Sequence, residues 1–241
     1  MVGGIRYEHT HRLVASTVGL LALVLTIWIG RTEPRKKIRW LAIAALGAVV
    51  LQGILGGLTV LYLLPAPISV THACLGPIFF CLVVSLLVIY SPGWDEKSGR
   101  FSSDGTARRF RFFSLLNFIS AFVQLLLGAV VRHTGRGMGL HIFSAFLVLV
   151  STGFVVAQSS VLTEEPFIRR SALFLGFLVL IEFFLGIGTF VFTRVPGIPE
   201  GLGRILFPTF HQTLGSLILA TALTLVLRSS QRAVVNQEAA L

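Results

Sequence analysis

The chain has 241 residues, of which 54% are hydrophobic and only 12% are charged, and its mean hydropathy is +0.86. A water-soluble domain of this length needs more charge to cover its surface, so these values exclude an ordinary globular protein. The formal net charge of +10 raises the question of a nucleic-acid partner.

Seven apolar runs are long enough to cross a membrane as helices, since one span needs about 20 such residues. In chain order they are 13–30, 40–64, 73–90, 112–131, 140–162, 171–193 and 205–227. The strands of a membrane barrel would be about 10 residues long with strict alternation. The sequence therefore predicts an all-α integral membrane protein.

The basic residues fall on alternate connections between these spans. Of the 20 Lys and Arg residues, 14 follow the first, third, fifth and seventh spans, and six lie in the other connections and the N-terminal segment. This bias follows the positive-inside rule and orients the protein, so the charge does not indicate a nucleic-acid partner. We expect a multi-pass protein surrounded by lipid in a bacterial cytoplasmic membrane, with its C-terminus in the cytoplasm.

An internal repeat relates the two halves of the chain. The second and sixth spans carry Gln-x-x-Leu-Gly and Glu-x-x-Leu-Gly motifs, which begin at Gln52 and Glu182, 130 positions apart. The third and seventh spans open with His-x-x-Leu-Gly at His72 and His211, 139 positions apart. Repeated motifs in the same order indicate a duplicated helical unit.

The fourth span carries the same motif from Gln124, but its counterpart in the first half would precede Met1. We therefore expect two pseudo-repeated four-helix bundles, with seven helices present of eight and the first one missing. The predicted divisions are an N-terminal half-bundle (1–92), a cytoplasmic linker (93–111), a C-terminal half-bundle (112–228) and a cytoplasmic tail (229–241).

Four histidines stand at the starts of alternate spans: His11, His72, His141 and His211. Because alternate spans run in the same direction, we expect their rings at one depth, each in the first turn of its helix. The repeat pairs His11 with His72 and His141 with His211. A single polar residue at a span end is often structural, but two repeated pairs favour a function.

Paired imidazoles on facing helices are suitable axial ligands for haem iron. Zinc would need a third or fourth ligand, and the sequence offers only Glu8 near the first pair and His133, in a loop, near the second. Nearby glycines leave room for a flat macrocycle. Arg12, Arg132 and Arg136 are expected to pair with its propionates.

The two histidine pairs differ in their acidic neighbours. Glu8 lies one turn before His11 on the same helical face, whereas the segment before His141 has neither acid nor Arg. A carboxylate beside an iron site can move protons, and a site without one suits electron storage. Glu8 could also complement the helix dipole. For Glu182 in mid-span, a protonated side chain that bonds like Gln is favoured over a proton relay.

Several segments resemble the haem A synthases, a family of cytochrome oxidase assembly proteins. They are residues 7–12 (Tyr-Glu-His-Thr-His-Arg), 56–60, 71–72, 132–135 and 210–215. The resemblance implies eight spans and oxidation of a haem O methyl group to a formyl group, which yields haem A.

The resemblance also implies roles for individual residues. Glu8, His11 and His72 would hold the substrate haem and act in catalysis, while His141 and His211 would bind a permanent haem b that passes electrons. Haem O synthase and oxidase-assembly proteins are the implied partners, and the electron donor stays open. The connection before the fifth span lacks the cysteine pair that many members carry.

Two other functions use the same four histidines. One is a di-haem b-type cytochrome that transfers electrons without being an enzyme, and the other is a haem chaperone. The enzyme is favoured because Glu8 lies near one histidine pair and the other pair has no such acid.

Overall fold

The structure is a computed structural model that describes the backbone of residues 2–92, 94, 105–162, 166–198 and 200–238. Side chains are described for the same residues except 2–7 and 231–238. Residues 93 and 95–104 of the predicted linker, and 239–241 of the predicted tail, lie outside the described residues.

Seven helices account for nearly all of the described chain. They are α1 (Val2–Thr32), α2 (Lys36–Leu61), α3 (Ala66–Ile89), α4 (Gly105–Thr134), α5 (Met138–Ser159), α6 (Pro166–Arg194) and α7 (Gly203–Glu238). Each contains a stretch that is long and apolar enough to span a membrane. The prediction of an all-α membrane protein is confirmed.

The helix ends follow local backbone chemistry. Glu33 and Pro34 separate α1 from α2, and the nearly buried Glu33 carboxylate accepts hydrogen bonds from the Arg35 backbone N–H and guanidinium. The short α4–α5 connection uses Gly135 and Gly137 at φ values of 70° and 84°, which glycine adopts without steric strain.

The predicted second span was too long at its C-terminal end. We expected it to reach residue 64, but α2 ends at Leu61, and Leu63 and Leu64 take left-handed φ values of 55° and 61°. Pro65 follows directly and disfavours a helical conformation at the residue before it. The residues of this turn are as apolar as the helix before it, so hydropathy alone could not show where the helix ends.

The chain divides into two compact units, Met1–Leu86 and Leu87–Leu241. In the first unit α1 packs against α2, and α3 contacts α2 through the motif residues described below. In the second unit α4 packs against α5 and α7, and α6 packs against α5 and α7. Each of these four helices thus has two neighbours, which is the arrangement of a four-helix bundle.

The second unit is packed unevenly along its length. Its fully buried side chains, such as Phe110, Val155, Leu175 and Leu219, lie in one half of the bundle. Asn117 in this half is fully buried and donates hydrogen bonds to Ser151 and Thr152 of α5.

The other half, here called the histidine half, comprises residues 122–134, 138–147, 182–194 and 203–216. Among its described residues only Ser144 and Gly215 are buried. The four helices therefore do not close a core of their own at this end.

Candidate functional site

The imidazoles of His141 on α5 and His211 on α7 face each other in the histidine half. Their ring centroids are 6.2 Å apart and their planes cross at 85°. A metal–imidazole bond is about 2 Å long and the nitrogen lies about 1 Å from the ring centroid, so two imidazoles on opposite sides of one metal ion have centroids roughly 6 Å apart. The spacing of this pair is that of two axial ligands.

Each of these rings lies against a glycine of a neighbouring helix. A Cβ atom at Gly128 of α4 would lie 3.2 Å from His141 Cε1, and one at Gly186 of α6 would lie 3.3 Å from His211 Cε1. Any larger residue would push the ring away. The glycine that ends each Gln/Glu-x-x-Leu-Gly motif is therefore the residue against which an imidazole packs.

The Gln or Glu that begins each of these motifs also lies close to the histidine that packs on its glycine. Glu182 Oε1 lies 3.0 Å from His211 Nδ1, although the ring N–H is not aligned with it for a hydrogen bond. Gln124 Nε2 lies 3.5 Å from His141 Nε2, and Gln124 Oε1 accepts a hydrogen bond from Ser144. The contacts therefore differ between the two rings: a carboxylate beside Nδ1 of His211 and an amide beside Nε2 of His141.

The first unit repeats this geometry around His72 of α3. A Cβ atom at Gly56 of α2 would lie 3.1 Å from His72 Cε1, and one at Gly76 would lie 3.5 Å from Gln52 Nε2. His11 of α1 is exposed and lies close enough to His72 for the two rings to interact electrostatically. The structure thus brings the members of the second predicted pair together, whereas in the first pair it places His11 within electrostatic range of His72.

Glu8 pairs with Arg12 rather than directly with a histidine. Their side chains are 50% and 60% exposed, and Arg12 Nη2 donates to Glu8 Oε1 at 2.7 Å. A shallow open pocket brings Glu8 beside Thr59 of α2, whose hydroxyl donates to the carbonyl oxygen of Gly56. Glu8 therefore shares a pocket with Thr59, which lies one turn after the glycine against which His72 packs.

Arg132 joins the second pair through a contact that the sequence did not indicate. Its Nη1 donates to Gln212 Oε1 at 2.6 Å, which links the end of α4 to the residue after His211. Both side chains are exposed. The guanidinium is thus held near His211 with donors available for an anionic group.

One positional expectation was wrong: only His141 stands in the first turn of its helix. The helices α1, α3 and α7 begin at Val2, Ala66 and Gly203, one to three turns before their histidines. Polar residues and prolines at these helix starts lower the hydropathy without ending the helix, so the apolar run began later than the helix did. His133 likewise lies in the last turn of α4 and not in a loop.

The second pair fits a bis-histidine haem. The distance between the ring centroids allows both imidazoles to bind one metal ion, and both rings pack on glycines. Few side chains are buried in the histidine half. Within the described residues, no group of three or more His, Cys, Asp and Glu side chains is arranged to hold a metal ion directly. The ligand set present is two imidazoles, which suits an iron already held in a macrocycle.

Comparison with known proteins identifies the family. Residues 5–143, more than half of the chain, match the family COX15-CtaA, described as cytochrome oxidase assembly protein. The chain belongs to this family.

Relatives of this COX15-CtaA family member are named heme A synthase. The protein of Shouchella clausii is 25% identical over 83% of this chain, and those of Bacillus licheniformis and Geobacillus kaustophilus are each 29% identical over 54% of it. The aligned part covers 65%, 43% and 41% of these relatives, so the chain spans less than two thirds of their length. No solved structure matches the chain.

Sequence reasoning missed several site residues of this family member. Gly128 and Gly186 were not assigned to the histidines that pack on them, and Gly215 was not assigned to Glu182. Neither Glu182 nor Gln212 was assigned a partner. The available signal was the equal spacing of the Gln/Glu-x-x-Leu-Gly and His-x-x-Leu-Gly motifs. On adjacent antiparallel helices, such equal spacing places the polar residue of each motif opposite the glycine of the other.

Proposed function

We propose that this protein is a haem A synthase-like oxidoreductase that converts the methyl group of haem O to the formyl group of haem A. The observation that carries the proposal is the pair His141 and His211, with centroids 6.2 Å apart in a member of the COX15-CtaA family. The heme A synthase names of its relatives support haem A as the product.

His141 and His211 would hold a resident haem b, and Arg132 would bind a propionate from its position beside Gln212. The bound haem would supply one-electron redox chemistry to the protein. The low burial of side chains in the histidine half supports this assignment, because a bound macrocycle would cover some of them.

His11 and His72 would hold the substrate haem, with Arg12 as a propionate partner. Glu8 would act as an acid or base beside this site, and its position in the pocket next to Thr59 supports that role. Arg12 holds the carboxylate in place through the 2.7 Å contact. At the 130-residue offset of the repeat, Met138 and Ile142 stand where Glu8 and Arg12 would be, so only the first pair has this acid.

The setting follows from the charge distribution. We place the protein in a bacterial cytoplasmic membrane with its C-terminus in the cytoplasm and the histidine pairs toward the opposite face. Haem O synthase and oxidase-assembly proteins would be its partners, and haem O its substrate.

The test is production of haem A in cells that make haem O but have no other haem A synthase. Extracted haems are separated by chromatography, and the purified protein is examined by absorption spectroscopy. Haem A or its hydroxylated precursor is expected. Bound b-type haem without either product would favour the electron-transfer cytochrome, and a protein without a Soret band would end both proposals.

Glu8→Gln tests the assigned acid. It keeps the size and a hydrogen-bond acceptor but removes the proton-transferring group, so we expect haem content to persist while haem A formation falls about 100-fold or more. The matched control is Glu200→Gln, which removes an exposed carboxylate that also pairs with an arginine four residues away. Product formation at the level of this control would contradict the role of Glu8.

A further inference from the structure

Glu182 is the one acidic member of the three motif copies in the chain, since Gln52 and Gln124 stand at the equivalent positions. It lies within the membrane-spanning part of α6, where an acidic side chain is costly and usually has a function. Its side chain is only 19% exposed, and its Oε1 is 3.0 Å from Nδ1 of His211. The acid is therefore directed at one proposed haem ligand.

The space for this carboxylate is built into the helix that carries the histidine. A Cβ atom at Gly215, four residues after His211, would lie 3.1 Å from Glu182 Oε1. Among the described residues, the other carboxylate oxygen is buried and has no hydrogen-bond partner. The contact with His211 is thus the polar contact that the structure gives to this buried acid.

The first unit provides an internal comparison. There the same two-glycine arrangement holds an amide, with His72 against Gly56 and Gln52 against Gly76. At His141 the amide of Gln124 lies beside Nε2 and not Nδ1. The geometry is shared, and the carboxylate at Nδ1 is specific to His211.

We propose that Glu182 is a positioning residue that fixes the His211 ring through Nδ1, leaves Nε2 for iron, and lowers the reduction potential of the haem. This inference rests on the proposed haem site of His141 and His211. The sequence favoured a protonated Glu182, but the carboxylate oxygen lies beside the His211 ring nitrogen, so this inference takes Glu182 as an ionised acceptor. An acceptor at the outer nitrogen orients a ligating imidazole and makes it a stronger donor, and a negative charge nearby favours ferric over ferrous iron. The two atoms are already 3.0 Å apart, and hydrogen bonds of this kind are often poorly aligned in a site without its ligand.

The consequence is an asymmetry between the two proposed haem sites. The haem of the second pair would be the better reductant, because the His72 site has a neutral amide where the His211 site has an acid. That direction suits a resident haem that gives electrons to a second site.

The experiment is a redox titration of the purified full chain, followed by absorption and electron paramagnetic resonance spectroscopy of the haem. Glu182→Gln keeps the shape and is expected to retain the haem but shift its midpoint potential to a more positive value. Glu182→Leu removes the acceptor and is expected to weaken haem retention about 10- to 100-fold. Glu200→Gln, which removes a carboxylate that is 89% exposed and pairs with Arg204, is expected to leave the potential unchanged.

A second variant tests the same contact without changing the acid. Gly215→Ala places a methyl group 3.1 Å from both the Glu182 carboxylate and Leu125 of α4, and by displacing the carboxylate it is expected to shift the potential in the same direction as Glu182→Gln. Gly153→Ala, where no atom lies within 4 Å, is its control.

The outcomes separate this inference from the proposed function. A haem-loaded wild type in which Glu182→Gln and Glu200→Gln have the same potential would overturn the role of Glu182 and leave the enzyme intact. A wild type that binds haem and makes no haem A would remove the enzyme, while the potential shift would still support Glu182. A wild type with no bis-histidine spectrum would overturn both.

Discussion

Glycines determine where the imidazoles of this protein lie. His72, His141 and His211 each rest on a glycine of the preceding helix, with close carbon contacts that leave no room for a methyl group without a shift. The histidines alone would be adaptable side chains at a helix interface. The absence of a side chain at each glycine gives the ring a defined position.

Gly186→Ala tests this effect at His211. The added carbon would lie 3.3 Å from the ring, so the imidazole must move by a few tenths of an ångström, and we expect haem affinity to fall about tenfold. Haem retention during size-exclusion chromatography measures the effect. Helix propensity acts in the opposite direction, since Ala is favoured over Gly by roughly 1 kcal/mol in a helix.

The control is Gly153→Ala, a helical glycine with open space around it. It is expected to keep its haem and to gain slightly in thermal stability. Equal haem retention in the two variants would show that the ring does not depend on the glycine.

At the scale of elements, the α6–α7 hairpin is held by close aromatic packing. Phe192 and Phe207 stack with centroids 4.8 Å apart and an interplanar angle of 17°. Each ring also covers a glycine of the opposite helix: Phe207 lies over Gly188, and Phe192 over Gly203. This packing fixes α7 against α6 one turn before His211.

Gly188→Ala should disrupt the hairpin. A Cβ atom there would lie 2.3 Å from the Phe207 ring, so the stack must open, and overpacking of this kind costs about 1–3 kcal/mol. Thermal unfolding in detergent, monitored by circular dichroism, is expected to show a lower midpoint. Gly201→Ala, in the nearby connection with no atom within 4 Å, should unfold like the wild type.

The sequence predicted the helices well and their ends less well. Seven apolar runs gave seven helices because a span must satisfy its backbone groups internally over a fixed length. The ends of α1, α3 and α7 were missed because polar residues outside the hydrocarbon can continue a helix. The closeness of His141 and His211 was predicted from the repeat. The contact of Glu182 with His211 depends on the rotation of α6 against α7, which hydropathy does not determine.

At the scale of the whole molecule, the distribution of Lys and Arg predicts orientation. Phosphatase fused after residue 136 or after residue 202 should be active, because we expect these connections outside the cytoplasm. Fusions after residue 34 or residue 232 should be inactive. Activity of the fusion at residue 34 would reverse the orientation and place the histidine pairs toward the cytoplasm.

The uneven packing of the second unit has a consequence for its backbone amides. Helices α4–α7 surround buried side chains in one half and few buried side chains in the histidine half, so a single helix should have two levels of protection against deuterium exchange. In the haem-free protein, amides of residues 122–134 should exchange faster than those of 110–121. Loading with haem should slow the exchange of residues 122–134 and leave that of 110–121 almost unchanged, because the bound cofactor would cover the helices of the histidine half.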